Sequence, residues 1–279
     1  MLVAMSNRQR VKELVRWASG LALWGVSPLR KWRRRFVKLT PGVLSPQIIL
    51  DVNRKATLAI AARDFVDLEV VRQIFMDEDY ALPVSDHARR LQQCYDKIIE
   101  GGGTPLIIDC GGNIGLATRY FTETYPRARV ICVEPDEKNL EAARANNRSD
   151  NIRFMLAGIG SADARANIVD PGLGNWGYRT EASPEGKTQL VSVNSLLQDP
   201  EHRGCIPFII KIDIEGFEQD LFEKNIEWLD AFPLLIIELH DWMLPGQASS
   251  GNFLRAVAHR NRDFLYRNEN VFSFSNSIA

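Results

Sequence analysis

One stretch constrains this chain more than any other: Ile107-Ile108-Asp109-Cys110-Gly111-Gly112-Asn113-Ile114-Gly115, an apolar run that enters a glycine turn and then a helical pattern. Glycines let the backbone bend sharply and approach a ligand, and the start of a helix presents free N–H groups to it. A dinucleotide site would read G-x-G-x-x-G. Counted from Gly111, the third position is Asn113 and the sixth is Leu116, so two of the three glycines are missing. The carboxylate of Asp109, just ahead of the turn, would repel a pyrophosphate and suits the ammonium of a methionine moiety instead. Twenty-five residues later a second apolar run ends at Val133-Glu134-Pro135. An acid there accepts hydrogen bonds from both ribose hydroxyls of an adenosine ligand. After a third run, Ala157-Gly158-Ile159-Gly160 leaves room for an adenine ring. The expected ligand is therefore S-adenosylmethionine, held by Asp109, Gly111, Gly112, Asn113, Gly115, Glu134, Pro135, Ala157 and Gly158. A nicotinamide-dependent oxidoreductase is one competing reading. A non-catalytic module that keeps the fold and the ligand is another.

Around that turn, strand-like and helix-like segments alternate as parallel β-α-β units do. The pattern predicts strands at Pro105 to Cys110, Ala128 to Glu134, Ile152 to Ala157, Pro207 to Ile214 and Leu234 to Leu239, with a closing pair at Phe264 to Arg267 and Val271 to Phe274. It predicts helices at Ile114 to Tyr125, Glu137 to Asn147, Phe217 to Leu229 and Asn252 to Arg260. Asp163 to Val169 and Gln189 to Leu197 read as further extended pieces around the Gly-rich stretch Pro171 to Gly186. The fold class is α/β, a Rossmann-like seven-stranded sheet flanked by helices, of the class I methyltransferase kind. Ahead of it, strands at Gln47 to Val52 and Ala56 to Ala62, a helix at Asp67 to Met76 with Asp67 as cap, and a helix at Asp86 to Glu100 closed by Gly101 to Gly103 form an α/β extension. The domains are read as a basic arm 1–40, an extension 41–103 and a ligand-binding domain 104–279.

Candidate catalytic groups stand at two strand ends. In Lys211-Ile212-Asp213-Ile214-Glu215-Gly216-Phe217-Glu218, alternation puts Lys211, Asp213 and Glu215 on one side of an apolar segment. Three charges in a central strand are costly unless paired or used, and open parallel sheets bind ligands beyond such ends. The next strand closes with Glu238-Leu239-His240-Asp241-Trp242, where His240 is a candidate general base with Glu238 beside it. No metal ligand set is assigned, since carboxylates at strand ends are common; Mg²⁺ on these acids is the lesser reading.

The elements Ile108-Asp109-Cys110-Gly111-Gly112-Asn113-Ile114-Gly115, Val133-Glu134-Pro135, Lys211-Ile212-Asp213-Ile214-Glu215-Gly216-Phe217-Glu218 and Ile237-Glu238-Leu239-His240 together resemble the FkbM family of methyltransferases. The resemblance covers roughly Leu106 to His240. It implies O-methyl transfer to hydroxyls of sugars, glycans, macrolides and other secondary metabolites. It implies cofactor contacts at Asp109, Gly111, Asn113 and Glu134, and active-site placement of Asp213 and Glu215. Gly112 stands where many members have Ala.

Charge separates the N-terminus from the rest. The first forty residues carry ten Lys or Arg against Glu13 alone, +9, whereas the remainder is 24 − 34 = −10. The basic segment reads first as a solvated arm or a helix docked on the acidic body; because Leu14, Trp17, Leu21 and Trp24 recur at helical spacing among the bases, a helix lying on an anionic membrane surface is the alternative. Ala18 to Val26 is too short to span a bilayer. Cys94, Cys110, Cys132 and Cys205 form no C-x-x-C pair, which fits a reducing cytoplasm, at most peripheral to the inner membrane face. The expected partners are a small-molecule or glycan substrate and, as an option for the extension, a second copy of the chain. A nucleic-acid partner is excluded by the acidic main domain and the lack of a base-flipping motif.

Overall fold

The computed structural model describes residues 2–26, 35–83, 85–169, 179–182, 185–243 and 245–277. By its internal contacts the chain divides into two units, Met1–Tyr80 and Ala81–Ala279.

In the first unit a three-stranded antiparallel sheet, β1 (Phe36–Lys38), β2 (Gln47–Asp51) and β3 (Ala56–Ile60), joins α1 (Asn7–Val26) and α2 (Phe65–Val71). Alternation along β2 buries Gln47, Ile49 and Asp51. Asp51 is carried inside by Arg35, whose guanidinium donates to it at 2.8 Å, because a buried carboxylate without a partner is costly. Phe36 meets Phe75 edge-on at 5.0 Å in the same core. β2 and β3 match the expected positions, β1 falls within the expected arm, and the helix after them differs. Its cap is Asp64, which accepts from the amide of Asp67, while Asp67 is buried in the first turn and paired with Arg63. From Arg72 to Met76 the winding loosens to a π-turn. The basic N-terminal segment is also part of this unit: Val3 donates to the carbonyl of Val43, and β1 is a strand of the sheet.

The second unit is built on a seven-stranded sheet. Its strands are β4 (Thr104–Cys110), β5 (Arg129–Glu134), β6 (Ile152–Leu156), β11 (Cys205–Ile212), β12 (Leu234–Glu238), β13 (Arg262–Arg267) and β14 (Asn270–Ser275), in the order β13-β14-β12-β11-β4-β5-β6. Five strands are parallel and the closing hairpin is antiparallel, as the alternating pattern predicts. β4 and β11 sit side by side at the centre, with Asp109 opposite Lys211 and Cys110 opposite Ile212. Ligands bind beyond the carboxyl ends of strands at such a switch point. Ile108, Ile131, Ile210 and Ile237 are fully buried, as continuous apolar strands covered on both faces should be.

The helices of this unit are α3 (Asp86–Glu100), α4 (Leu116–Thr124), α5 (Glu137–Asn146), α6 (Val193–Gln198), α7 (Glu218–Leu221) and α8 (Gly251–Ala258). α3, expected in the extension, belongs here because its Tyr95 ring packs on Phe208 of β11 at 5.5 Å and on Tyr125 at 5.2 Å. Two expected elements are replaced. The segment Gln189 to Leu197 is strand β10 (Thr188–Ser192) turning into α6 at the cap Ser192. The long helix expected over Phe217 to Leu229 is cut to the short α7 and a 3-10 turn at Glu227–Asp230, with Asn225 at φ 55 between them. β10 joins β7 (Gly158–Gly160), β8 (Ala164–Val169), which stands where the extended piece Asp163 to Val169 is expected, and β9 (Arg179–Ala182) in a second sheet whose pairing the sequence did not announce. Most of the stretch Pro171 to Gly186 lies outside the described residues.

Among the described residues no helix is long and apolar enough to cross a membrane. Replacing Ile210 by Ala in the buried centre of β11 is expected to cost about 2–5 kcal/mol, through lost burial and the cavity left behind. Urea unfolding followed by circular dichroism measures it, and a loss under ~1 kcal/mol would show that the core closes over the gap.

Candidate functional site

The turn after β4 is shaped by close backbone packing. Gly111 and Gly112 both donate to the carbonyl of Val133, at 3.0 and 2.9 Å, which ties the turn to the end of β5. Gly111 lies at φ 81, and a Cβ there would stand 1.8 Å from the backbone oxygen of Asp213, so only glycine lets this loop and the end of β11 touch. Gly112 faces Cys132, whose sulfur lies 2.3 Å from where a Cβ would be; in this chain Cys132 fills the space an Ala would need. Gly115, at φ 78, opens α4 against Ala143 of α5.

From this bend Asn113 donates its amide to Glu134 Oε2 at 2.7 Å, and Asp136 donates to Oε1 at 3.0 Å. The glycine bend and the acid at the end of β5 are thus in contact, as the adenosine reading requires. Glu134 is 5% exposed, and burial pushes its pKa up to about 7 against the pull of those amides. The Asn139 side chain is a third donor to it, and since a carboxylate has roughly four lone-pair positions, acceptor capacity remains for a ribose hydroxyl.

Gly111, Asn113, Glu134, Pro135, Ala157 and Gly158 line one cleft, and its other wall is Asp213, Ile214, Glu215 and Phe217. The cleft and its solvent-open mouth together hold about 640 Å³ of space. Its donor set fits S-adenosylmethionine. There are small residues where an adenine would lie, an acid with spare acceptor capacity for the ribose, and carboxylates where the cationic end would reach.

Two expected contacts take another form. Asp109 is fully buried and does not line the cleft: its Oδ2 accepts from the Thr118 hydroxyl at 2.6 Å, and its Oδ1 faces Lys211 Nζ at 3.2 Å as an ion pair without hydrogen-bond alignment. The direct ammonium contact expected of Asp109 is replaced by a role beneath the loop. Lys211, expected among the catalytic groups, is 3% exposed. It donates to the carbonyl of Gly111 at 2.7 Å and stands 3.4 Å from Asp213, so it clamps the bend to β11.

The other candidates converge at the rim. β11 ends at Ile212, and the left-handed residues Glu215 (φ 54) and Gly216 (φ 94) reverse the chain. That reversal brings Glu218 back beneath His240, with Oε1 at 2.8 Å from Nδ1 and 3.2 Å from the Gly216 amide. Burial disfavours charge on the imidazole, but the hydrogen bond to Glu218 and the charges of Glu218, Asp213 and Glu238 outweigh it and push the pKa up to about 10. A protonated imidazole accepts no proton, so these surroundings do not give His240 the general-base role expected of it. Burial, then the charge of Asp213, raises Glu215 and Glu238 to about 8 each, with His240 opposing.

Sequence reasoning did not assign roles to Glu218, Thr118 or Asn139, which lines the cleft beside Glu134. Glu218 lay inside the charged run, yet strand alternation cannot report a residue that returns only because the chain reverses.

Gly204 is a control for Gly111, since its φ is 84 and nothing lies within 4 Å of a Cβ there. Gly204→Ala should lose roughly 1–2 kcal/mol of stability from left-handed strain, and Gly111→Ala distinctly more. Equal losses in thermal unfolding would show that the loop gives way.

Comparison with known proteins adds a family. A model described as the methyltransferase FkbM domain matches residues 109–267, more than half of the chain. A curated protein called "Methyltransferase 1" from Beauveria bassiana is 25% identical over 193 residues, which is 60% of this chain and 74% of that protein. Likeness to solved structures is looser. The N-terminal domain of human METTL16 in complex with SAH gives a TM-score of 0.40 at 14% identity, covering 97% of this chain and 98% of that one. Monomeric WbdD gives 0.39 at 10%, covering 70% of this chain and 42% of that one, so the chain spans less than half of WbdD. The family model and the contact between the glycine bend and Glu134 agree, and the chain belongs to the FkbM methyltransferases.

Proposed function

We propose that this methyltransferase transfers its methyl group to a hydroxyl on a sugar, glycan or secondary metabolite. The observation that carries this reading is that the cleft opens, through Asp213 and Glu215, onto a rim of carboxylates around His240. S-adenosylmethionine, when bound, supplies an electrophilic methyl carbon on a sulfonium. Glu134 offers the ribose its remaining acceptor positions, while Ala157 and Gly158 leave space for the adenine. Asp213 accepts a hydrogen bond from the acceptor hydroxyl and holds its oxygen in line with the methyl carbon. Glu215, beside it on the same wall, takes the proton as the carbon–oxygen bond forms and the carbon–sulfur bond breaks. Positioning of this kind supplies most of the rate and a base the remainder. A carboxylate rim repels anionic acceptors and offers hydrogen-bond acceptors to polyols. Trp242, 67% exposed with its ring 6.5 Å from that of His240, offers a flat surface to a sugar ring.

Glu134→Ala should weaken binding of S-adenosylhomocysteine at least about tenfold, as loss of charge-assisted hydrogen bonds does. Glu215→Gln should keep the fold and lose roughly 10²–10⁴ in kcat. Calorimetry with S-adenosylhomocysteine and NAD, plus a product assay for methyl ethers, decides the matter. NAD binding without S-adenosylhomocysteine binding, or methyl found only on nitrogen, removes the reading.

We infer further that α1 rests on an anionic lipid surface. Val11, Leu14 and Val15 are exposed on it, while its acid Glu13 is buried and paired with Arg16 at 2.9 Å and Lys38 at 3.4 Å. The outward face is therefore apolar and basic, a combination that favours acidic headgroups. Phosphatidylserine vesicles should retain the protein in low salt and release it in high salt, and Arg8→Glu with Val15→Glu should abolish retention. Retention by neutral vesicles at the same level would remove this inference.

A further inference from the structure

Three carboxylates turn toward one imidazole nitrogen, and none is placed to hydrogen-bond it. His240 Nε2 stands 3.5 Å from Glu238 Oε1, 3.6 Å from Asp213 Oδ1 and 3.7 Å from Glu215 Oε2. Each separation exceeds the roughly 2.7–3.2 Å of a nitrogen–oxygen hydrogen bond. A cation shared among them would hold all of them at such distances.

The far side of the ring gives an independent reason. His240 is 2% exposed, and its Nδ1 meets Glu218 Oε1, an oxygen that already accepts the Gly216 amide. Glu218 is itself fully buried. An accepting oxygen there holds a proton on Nδ1, so a cation among the carboxylates would displace only the proton that the metal-free ring carries on Nε2. A buried carboxylate behind the imidazole, with the other nitrogen turned toward the ligands, is how proteins orient a metal-binding histidine. On the open side, one ligand atom each from Asp213, Glu238 and His240 lie within 4.8 Å of one another. Oxygen and nitrogen ligands bound at about 2.0–2.2 Å to one cation lie about 3 Å apart at neighbouring positions, so a small inward shift completes the set.

We propose that Asp213, Glu238 and His240 bind a divalent first-row transition cation at the rim of the cofactor cleft, with Glu218 as the positioning residue behind the imidazole. The donors choose the class of ion. An imidazole with two carboxylates suits Mn²⁺ or Zn²⁺, whereas Mg²⁺ takes oxygen ligands and keeps its waters. Three protein ligands leave open positions, and Asp213 also lines the cleft, so the open side faces the place where an acceptor oxygen would sit. The binding itself is independent of the O-methyl reading. What the cation would do, which is to orient the acceptor hydroxyl and make it more acidic, rests on that reading.

The test uses the full chain, stripped with EDTA, dialysed and titrated with MnCl₂ while the electron paramagnetic resonance signal of free Mn²⁺ is followed. One Mn²⁺ per chain is expected. Glu238→Gln and Asp213→Asn should weaken it at least tenfold, and Glu218→Gln by about 10–100-fold through the ring it orients. Affinity for S-adenosylhomocysteine should be unchanged in Glu238→Gln and Glu218→Gln, neither of which lines the cofactor cleft, and this separates loss of a ligand from loss of the fold. A wild-type chain that takes up no Mn²⁺ or Zn²⁺, or an ion held equally by all three variants, overturns the site. Stoichiometric Mn²⁺ lost in the variants, with methyl found only on nitrogen, supports the site while removing the O-methyl reading. Methyl ether formation with no metal bound does the reverse.

Discussion

The contact on which the second unit depends is the one between the glycine bend and the end of β11. Two neighbouring parallel strands finish side by side, and the bend after β4 crosses close enough to the next strand's exit that a single methyl at Gly111 would collide with the backbone of Asp213. Lys211 secures this approach from below. Its ammonium reaches the carbonyl of Gly111, the buried Asp109 and the half-exposed Asp213 at once. Buried charges of this kind are costly unless matched, and here the matching fixes the geometry of a loop. With the bend held, the Asn113 amide meets Glu134, and one cleft has the acid for a ribose on one wall and Asp213 on the other.

The rim carries a second concentration of charge, arranged in the opposite sense. Beneath the bend one cation stands between two carboxylates; at the rim one imidazole is shared by four, Asp213, Glu215, Glu218 and Glu238. That excess of negative charge is what a neutral, hydroxyl-bearing acceptor or a bound cation would meet. The fold produces it by a short reversal, in which two left-handed residues after β11 return Glu218 under the histidine of the neighbouring strand end.

Much of this could be read from the chain. Continuous apolar runs such as Ile107-Ile108 and Phe208 to Ile210 announce buried parallel strands, and the turn glycines with Glu134 announce an adenosine ligand. Less legible were elements whose shape depends on partners. The strand-then-helix at Ser192, the short α7 and the second sheet are decided by caps, positive φ and pairing with distant segments, none of which leaves a periodic trace. Asp109 and Lys211 were legible as charges in an apolar setting but not as partners, because their pairing crosses two strands a hundred residues apart.

The sequence by itself determined the class of fold and the family, and pointed to the residues around the glycine bend as a ligand site, because hydrophobic period, glycine turns and a carboxylate at a strand end are local signals with local physical causes. Only the tertiary structure decided the work of each charge: Lys211 and Asp109 as a clamp, His240 as a ring held from behind by Glu218, and Asp213 between the cleft and the rim. A side chain's protonation and its ligands are set by what folding brings within a few ångströms of it, and that distance is not written along the chain.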